Sequence, residues 1–211
     1  MTSAEAKSPG SAARIWNLPN VLTMLRIVLV PFFVWFLIAD APGLDSRNGL
    51  WRWVAAATFA VAIYTDKLDG DIARSRGLVT DFGKIADPIA DKLLIGSALV
   101  MLSLLQELPW WVTILILVRE WGVTALRFFV IRYGVIPASR GGKLKTVVQT
   151  AAIFLFVLPL ASLAPWLGTV AFAVMMVALA ITVWTGVEYV FEALKLRASG
   201  RREQQIQDGT K

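Results

Sequence analysis

The sequence predicts an all-α, polytopic membrane protein: a bundle of six transmembrane helices with both termini on the cytoplasmic side. Three observations carry this expectation. Of the 211 residues 57% are hydrophobic, and the mean hydropathy is +0.64, too apolar for an ordinary soluble domain. The apolar residues fall into stretches close to the ~20 residues that a bilayer requires, separated by short polar connections. Basic residues gather on alternate connections: Lys67, Arg74, Arg76 and Lys84 at the second, Arg132, Arg140, Lys143 and Lys145 at the fourth, and Lys195, Arg197, Arg201 and Arg202 at the C-terminus. The third and fifth have none, so the positive-inside rule turns the charged ends toward the cytoplasm. Trp35, Trp51, Trp53, Trp110, Trp111 and Trp166 fall near the opposite ends, as an outer aromatic belt requires.

Taken in order, residues 1–13 are small and polar with Pro9 and Gly10, and read as a disordered N-terminal tail. Residues 14–194 form the transmembrane domain. It opens with an interfacial segment, Arg14 to Asn20, anchored by Trp16. The spans are expected at about 20–39, 50–73, 84–106, 109–132, 145–163 and 166–192. Pro42 and Gly43 mark the first loop, and Pro165 and Gly168 the turn before the last span. Residues 195–211 are a polar C-terminal tail, expected to be disordered.

The composition excludes several chemistries. Without cysteine there is no disulfide framework or thiolate nucleophile, and without histidine there is no imidazole base or ligand. Acid–base work falls to carboxylates, Lys or Tyr. The net charge of +6 does not point to nucleic acid, because the basic residues sit at helix ends rather than on a soluble patch interleaved with aromatics. Their natural partner is a surface of anionic lipids.

Four carboxylates stand where ionisable groups are costly. From Trp51 to Asp66 is about 22 Å of helix, so the second span carries Asp66 and Asp69 within the membrane layer. The third span starts with Asp87 and Asp91 at similar depth. Residues three or four apart share a helix face, so two facing helices would bring all four acids together. That cluster carries about four negative charges and repels itself unless cations cancel it. Two divalent ions would do so, and oxygen-only donors select Mg²⁺, Mn²⁺ or Ca²⁺ over zinc, iron or copper. Gly70 and Gly83 permit close approach to the backbone, and Arg74 offers a fork suited to phosphate. Together these residues describe a site for phosphoryl chemistry. Asp71 and Asp81 lie off the shared faces and are expected to be solvated charges.

The pattern Asp-x2-Asp-Gly-x2-Ala-Arg-x8-Gly-x3-Asp-x3-Asp is met by Asp66, Asp69, Gly70, Ala73, Arg74, Gly83, Asp87 and Asp91, and it resembles the CDP-alcohol phosphotransferase family. Asn17-Leu-Pro-Asn20-Val-Leu-Thr23-Met-Leu-Arg26, Thr80-Asp-Phe-Gly83, Arg119-Glu120 and Gly142-Lys143-Leu-Lys145-Thr146 are similar to the branch that makes phosphatidylglycerophosphate. The resemblance covers roughly residues 16 to 190. It implies transfer of a phosphatidyl group from CDP-diacylglycerol to glycerol 3-phosphate with release of CMP, by a multi-pass protein of the cell membrane that works as a homodimer. On that reading Asp66, Asp69 and Asp87 hold Mg²⁺ or Mn²⁺, two ions per site, and Asp91 shares ligation or acts as general base. Asp66, Asp69, Gly70, Ala73, Arg74, Thr80 and Gly83 cradle the nucleotide.

Other charged residues leave alternatives open. Arg127, Lys143 and Lys145 are either topology signals or a pocket for the acceptor's phosphate. Arg119 and Glu120, adjacent in the fourth span, point about 100° apart and do not easily face each other, whereas Glu120 and Arg127 share a face. Arg26 either snorkels to headgroups or reaches the acids. Inositol phosphate and phosphatidylglycerol are the alternative acceptors. From other classes, a divalent-cation transporter would also want intramembrane acids but not Gly70, Ala73, Arg74 and Gly83 at this spacing. A non-catalytic scaffold explains least.

Overall fold

The computed structural model describes residues 17–78, 80–130 and 140–209. The tail at 1–13, Trp16 and Arg132 lie outside the described residues, as do the side chains of Asp81, Lys84 and Arg140. The described chain is all helical: α1 (Leu18–Asp40), a 3₁₀ turn (Pro42–Leu44), α2 (Leu50–Ser75), α3 (Asp81–Leu104), α4 (Trp110–Val130), α5 (Arg140–Val157), the single turn α6 (Leu160–Leu163) and α7 (Pro165–Gly209). Two stretches, α1 and Pro165–Arg197 of α7, are long and apolar enough to cross a membrane by length and composition.

The C-terminal ends of two helices differ from expectation, and α5 also starts earlier, at Arg140 rather than near 145. The fifth span ends at Val157, because Pro159 has no N–H to continue the ladder, and the chain resumes as α6. The last helix does not stop near 192 but runs to Gly209, so the polar tail expected to be disordered is helical there. Its Arg, Glu and Gln residues are good helix formers, and a helix already nucleated by a packed segment extends one residue at a time at little cost.

The helices pack as two groups that share α3 and α5. α1 lies against both α2 and α3, while α4 and α5 lie against α7, and α5 reaches back to α2 and α3. The core is built from Phe33 and Leu37 of α1, Ala55, Ala56, Phe59 and Ala62 of α2, Ala98, Leu99 and Leu102 of α3, and Ala152 and Ile153 of α5. Alanine is frequent here because its small side chain lets helix backbones approach closely. Phe59 lies between Phe33, tilted against it at a ring-centroid distance of 5.4 Å, and Phe154, stacked on it at 6.4 Å, and so ties α1, α2 and α5 together.

At one end of the bundle the chain turns sharply from α2 into α3. Gly77 adopts φ +62°, the left-handed region that favours glycine, and the Leu78 amide donates to the Ala73 carbonyl at 3.0 Å. Thr80 then caps α3 by accepting from the Gly83 amide at 3.0 Å. This short connection brings the last turns of α2 and the first turns of α3 to the same level. At the other end Arg52, buried in α2, donates from Nε to the Val157 carbonyl at 2.8 Å and from Nη2 to the Phe156 carbonyl at 2.7 Å, and pairs with Glu107. It satisfies carbonyls that the end of α5 would otherwise leave bare.

Candidate active site

The α2–α3 turn and α1 together make the site. Asn17 and Asn20 at the start of α1 clasp the turn: Asn17 Nδ2 donates to the Leu78 carbonyl at 3.2 Å, and the Thr80 hydroxyl donates to Asn20 Oδ1 at 2.9 Å. Gly83 is needed for this fit, because a Cβ there would stand 3.2 Å from Asn20 Oδ1 and 3.3 Å from Thr80 Oγ1. Three and six residues beyond Asn20, on the same stripe of α1, are Thr23 and Arg26, both buried and both turned toward the acids.

Arg26 lies between the two acids of α2. Its Nη1 is 2.5 Å from Asp66 Oδ1, and its Nη2 pairs with Asp69 Oδ2. The Thr23 hydroxyl donates to Asp87 Oδ1 at 2.6 Å, with Asp69 Oδ2 at 3.4 Å. The four carboxylates therefore share a site but do not meet at a point as the spacing suggested, since Arg26 and Thr23 of α1 engage Asp66, Asp69 and Asp87. Among the described residues no three carboxylates stand close enough together to hold a metal ion as they are.

Asp66, Asp69, Asp87 and Asp91 line one cavity of about 780 Å³ with Arg26, Lys67, Gly70 and Arg74. The rest of its lining is mostly apolar, with Ala60 and Ile63 of α2, Leu94 and Ile95 of α3, and Val147, Ala151 and Phe154 of α5, and is joined by Tyr64, Thr146 and Thr150. Gly70 leaves room for Arg74 to fold back along α2, since a Cβ would lie 3.2 Å from both guanidinium Nη atoms. Arg74 is exposed and pairs with Asp71 at 2.9 Å, so Asp71 faces out, as expected. Ala73, Thr80 and Gly83 lie outside the cavity lining, the last two serving the clasp of α1 instead.

A second, narrow pocket of about 50 Å³ adjoins the first and shares Asp91 with it. Lys92, Glu120, Lys145 and Gln149 line it. Lys145 is buried and forms an ion pair with Glu120. Arg119 Nη1 also comes within 3.7 Å of Glu120, because long flexible side chains bring adjacent residues together across the 100° that separates their Cβ atoms. Neither Arg127 nor Lys143 borders either pocket. Arg127 lies over the Tyr189 ring and donates to its hydroxyl at 3.3 Å.

Sequence reasoning left Arg26 open and missed Thr23, Asn20 and Lys67. The signal was present as Asn17, Asn20, Thr23 and Arg26, four polar residues spaced by threes in an otherwise apolar helix.

The donor chemistry fits a hard divalent ion. Carboxylate and hydroxyl oxygens face the cavity, with no nitrogen or sulfur ligand to favour softer metals.

Comparison with known proteins points the same way. The family model for CDP-alcohol phosphatidyltransferase matches residues 16–184. A probable phosphatidylglycerophosphate synthase of Mycobacterium tuberculosis is 56% identical over 183 residues, 87% of this chain and 84% of that protein. CDP-diacylglycerol--glycerol-3-phosphate 3-phosphatidyltransferases of Bacillus subtilis and Shigella flexneri are 38% and 34% identical, over 86% and 84% of this chain and 98% and 95% of their own lengths.

Proposed function

The chain belongs to the CDP-alcohol phosphatidyltransferase family, and from that premise we propose that it transfers the phosphatidyl group of CDP-diacylglycerol to glycerol 3-phosphate, giving phosphatidylglycerophosphate and CMP. The observation that carries the reading is a cavity whose lining combines four aspartates with a mostly apolar remainder. A lipid diphosphate needs both halves. The acyl chains suit the gap between α2 and α5, flanked by the exposed Tyr64 and Val147, so the lipid enters sideways from the bilayer. The diphosphate then lies toward the acids and Arg74, with the nucleotide bordered by Asp66, Asp69 and Gly70. Ala73, Thr80 and Gly83 contribute by shaping the α2–α3 turn.

Asp66, Asp69 and Asp87 would hold Mg²⁺ or Mn²⁺, two ions in our reading, with Asp91 available to share ligation. Such ions neutralise the diphosphate and the charge that develops on departing CMP. Asp91 borders both the large cavity and the narrow pocket. That position suits a base that takes the acceptor's hydroxyl proton as the oxygen attacks the phosphorus bearing the diacylglycerol and the bond to CMP breaks. With no His or Cys in the chain, we favour this direct displacement over a covalent intermediate. Six spans, a cytoplasmic site, both termini on that side, cell-membrane location and a homodimer complete the proposal, supported by the distribution of basic residues and the resemblance in sequence.

The test is CMP release from CDP-diacylglycerol by the purified protein in detergent, across a panel of acceptors, with and without chelator. Activity is expected with glycerol 3-phosphate and Mg²⁺ or Mn²⁺, and none in excess EDTA. Turnover in EDTA would sink the metal assignment, and metal flux without CMP release would favour a transporter.

The acceptor's phosphate is assigned to Lys145, which with Lys92 is one of two basic residues at the narrow pocket beside Asp91 and lies near the N-terminal end of α5. Lys145→Ala is expected to raise the apparent KM for glycerol 3-phosphate while leaving that for CDP-diacylglycerol nearly unchanged. Arg127→Ala and Lys143→Ala should alter neither. An equal rise for both substrates in Lys145→Ala would remove the assignment.

A further inference from the structure

We propose that Arg26 is a displaceable counter-cation: it holds Asp66 and Asp69 while no metal is bound, and loading of the site requires it to withdraw. The inference rests on the metal-binding role proposed for the acids and concerns what competes with the metal.

The contrast between two buried arginines motivates it. Arg52 is anchored to backbone, through the carbonyls of Phe156 and Val157, and would keep those partners whatever happened to Glu107. Arg26 is equally buried, at 0% exposure, yet its ion-pair partners are the carboxylates of Asp66 and Asp69; its Nε, like Nη1 of Arg52, has no hydrogen-bond partner among the described residues, so the two arginines differ in what holds them, carboxylates for one and carbonyls for the other. A guanidinium offers five donors, so Arg26 is held by charge rather than by a fully satisfied network. The oxygens it engages belong to the acids that a divalent ion needs. A single positive charge also compensates two carboxylates incompletely, whereas a divalent ion at oxygen distances near 2.0–2.1 Å compensates both. The ion therefore wins at sufficient concentration, but its apparent affinity is lowered by the fraction of molecules in which Arg26 occupies the acids. Arg26 lines the large cavity, so once released it remains where an anionic phosphate supplies new acceptors.

Mn²⁺ binding to the purified full chain in detergent, followed by the electron-spin resonance of the free ion, tests this without any turnover. Arg26→Met should bind Mn²⁺ about 10-fold more tightly than the parent, and Arg26→Lys, a point charge that bridges two carboxylates poorly, should fall between them. Without metal, Arg26→Met should unfold at a lower temperature than the parent, and Mn²⁺ should raise its unfolding temperature by more. Unchanged or weaker Mn²⁺ affinity in folded Arg26→Met overturns the inference and leaves the metal reading intact. Should Arg26→Met not fold, Arg26→Lys decides alone, and affinity no tighter than the parent's overturns it. If the parent protein itself binds no Mn²⁺, both readings fall.

Discussion

Asp66→Asn, Asp69→Asn, Asp87→Asn and Asp91→Asn are each expected to lower CMP release by about 100-fold or more, while Asp71→Asn leaves it nearly unchanged. An asparagine has almost the shape of an aspartate but neither its charge nor its capacity as a base. At Asp66, Asp69 and Asp87 the loss removes a hard anionic donor from the site proposed to bind cations and a diphosphate together. At Asp91 it also removes the group proposed to take the acceptor's proton. Asp71 is the fitting control, since it is one turn away from the same helix end yet points outward to an exposed pair with Arg74. Its removal leaves Arg74 free to meet phosphate. CMP release by folded, monodisperse variants is the measurement, and an Asp71→Asn variant as damaged as Asp69→Asn would show that the helix faces have been assigned wrongly.

The second large effect is on stability and lies at the far end of the bundle. Arg52→Ala should cost about 2–4 kcal/mol, because it empties the space of a fully buried side chain and leaves the part-buried Glu107 with Ser46 as its partner. Here it also strips two carbonyls of α5 of their donor. A loss of that size lowers the unfolding temperature by roughly 10 °C for a chain of this length. Thermal unfolding in detergent reads it directly. Replacing Arg52 and Glu107 together by leucine should restore part of the loss, since no unpaired charge then remains. Wild-type stability in Arg52→Ala would show that Arg52 does not secure the end of α5.

Helix periodicity and the motif were local enough to be read from the chain. Asp66 with Asp69, and Asp87 with Asp91, each fall on one helix and one face, and the turn between the helices is too short to separate them in depth. Pro159 was visible too, although its consequence for the end of α5 was not drawn. The pocket proposed for the acceptor was poorly legible for the opposite reason. Arg127, Lys143 and Lys145 carry the same charge in the same region, and only packing distinguishes a lysine buried against Glu120 from an arginine over Tyr189.

By itself the sequence determined that the protein is helical and strongly apolar, that its chemistry relies on carboxylates, and that two acid pairs lie at the ends of successive helices. Those are properties of spacing and composition, which a chain carries whether folded or not. Only the tertiary structure decided that α1 is the third wall of the site. Contacts between Arg26 and Asp69, or Thr23 and Asp87, join residues far apart in sequence, and nothing in a helical repeat specifies which helix comes to lie against which. That choice comes from the alanines that let α1 approach α2 closely, from Phe59 between Phe33 and Phe154, and from the clasp of Asn17 and Asn20 on the turn at Gly77 to Thr80. Once α1 is seated there, its polar stripe must face the acids, because a buried arginine requires an anion and the carboxylates of Asp66 and Asp69 stand within its reach.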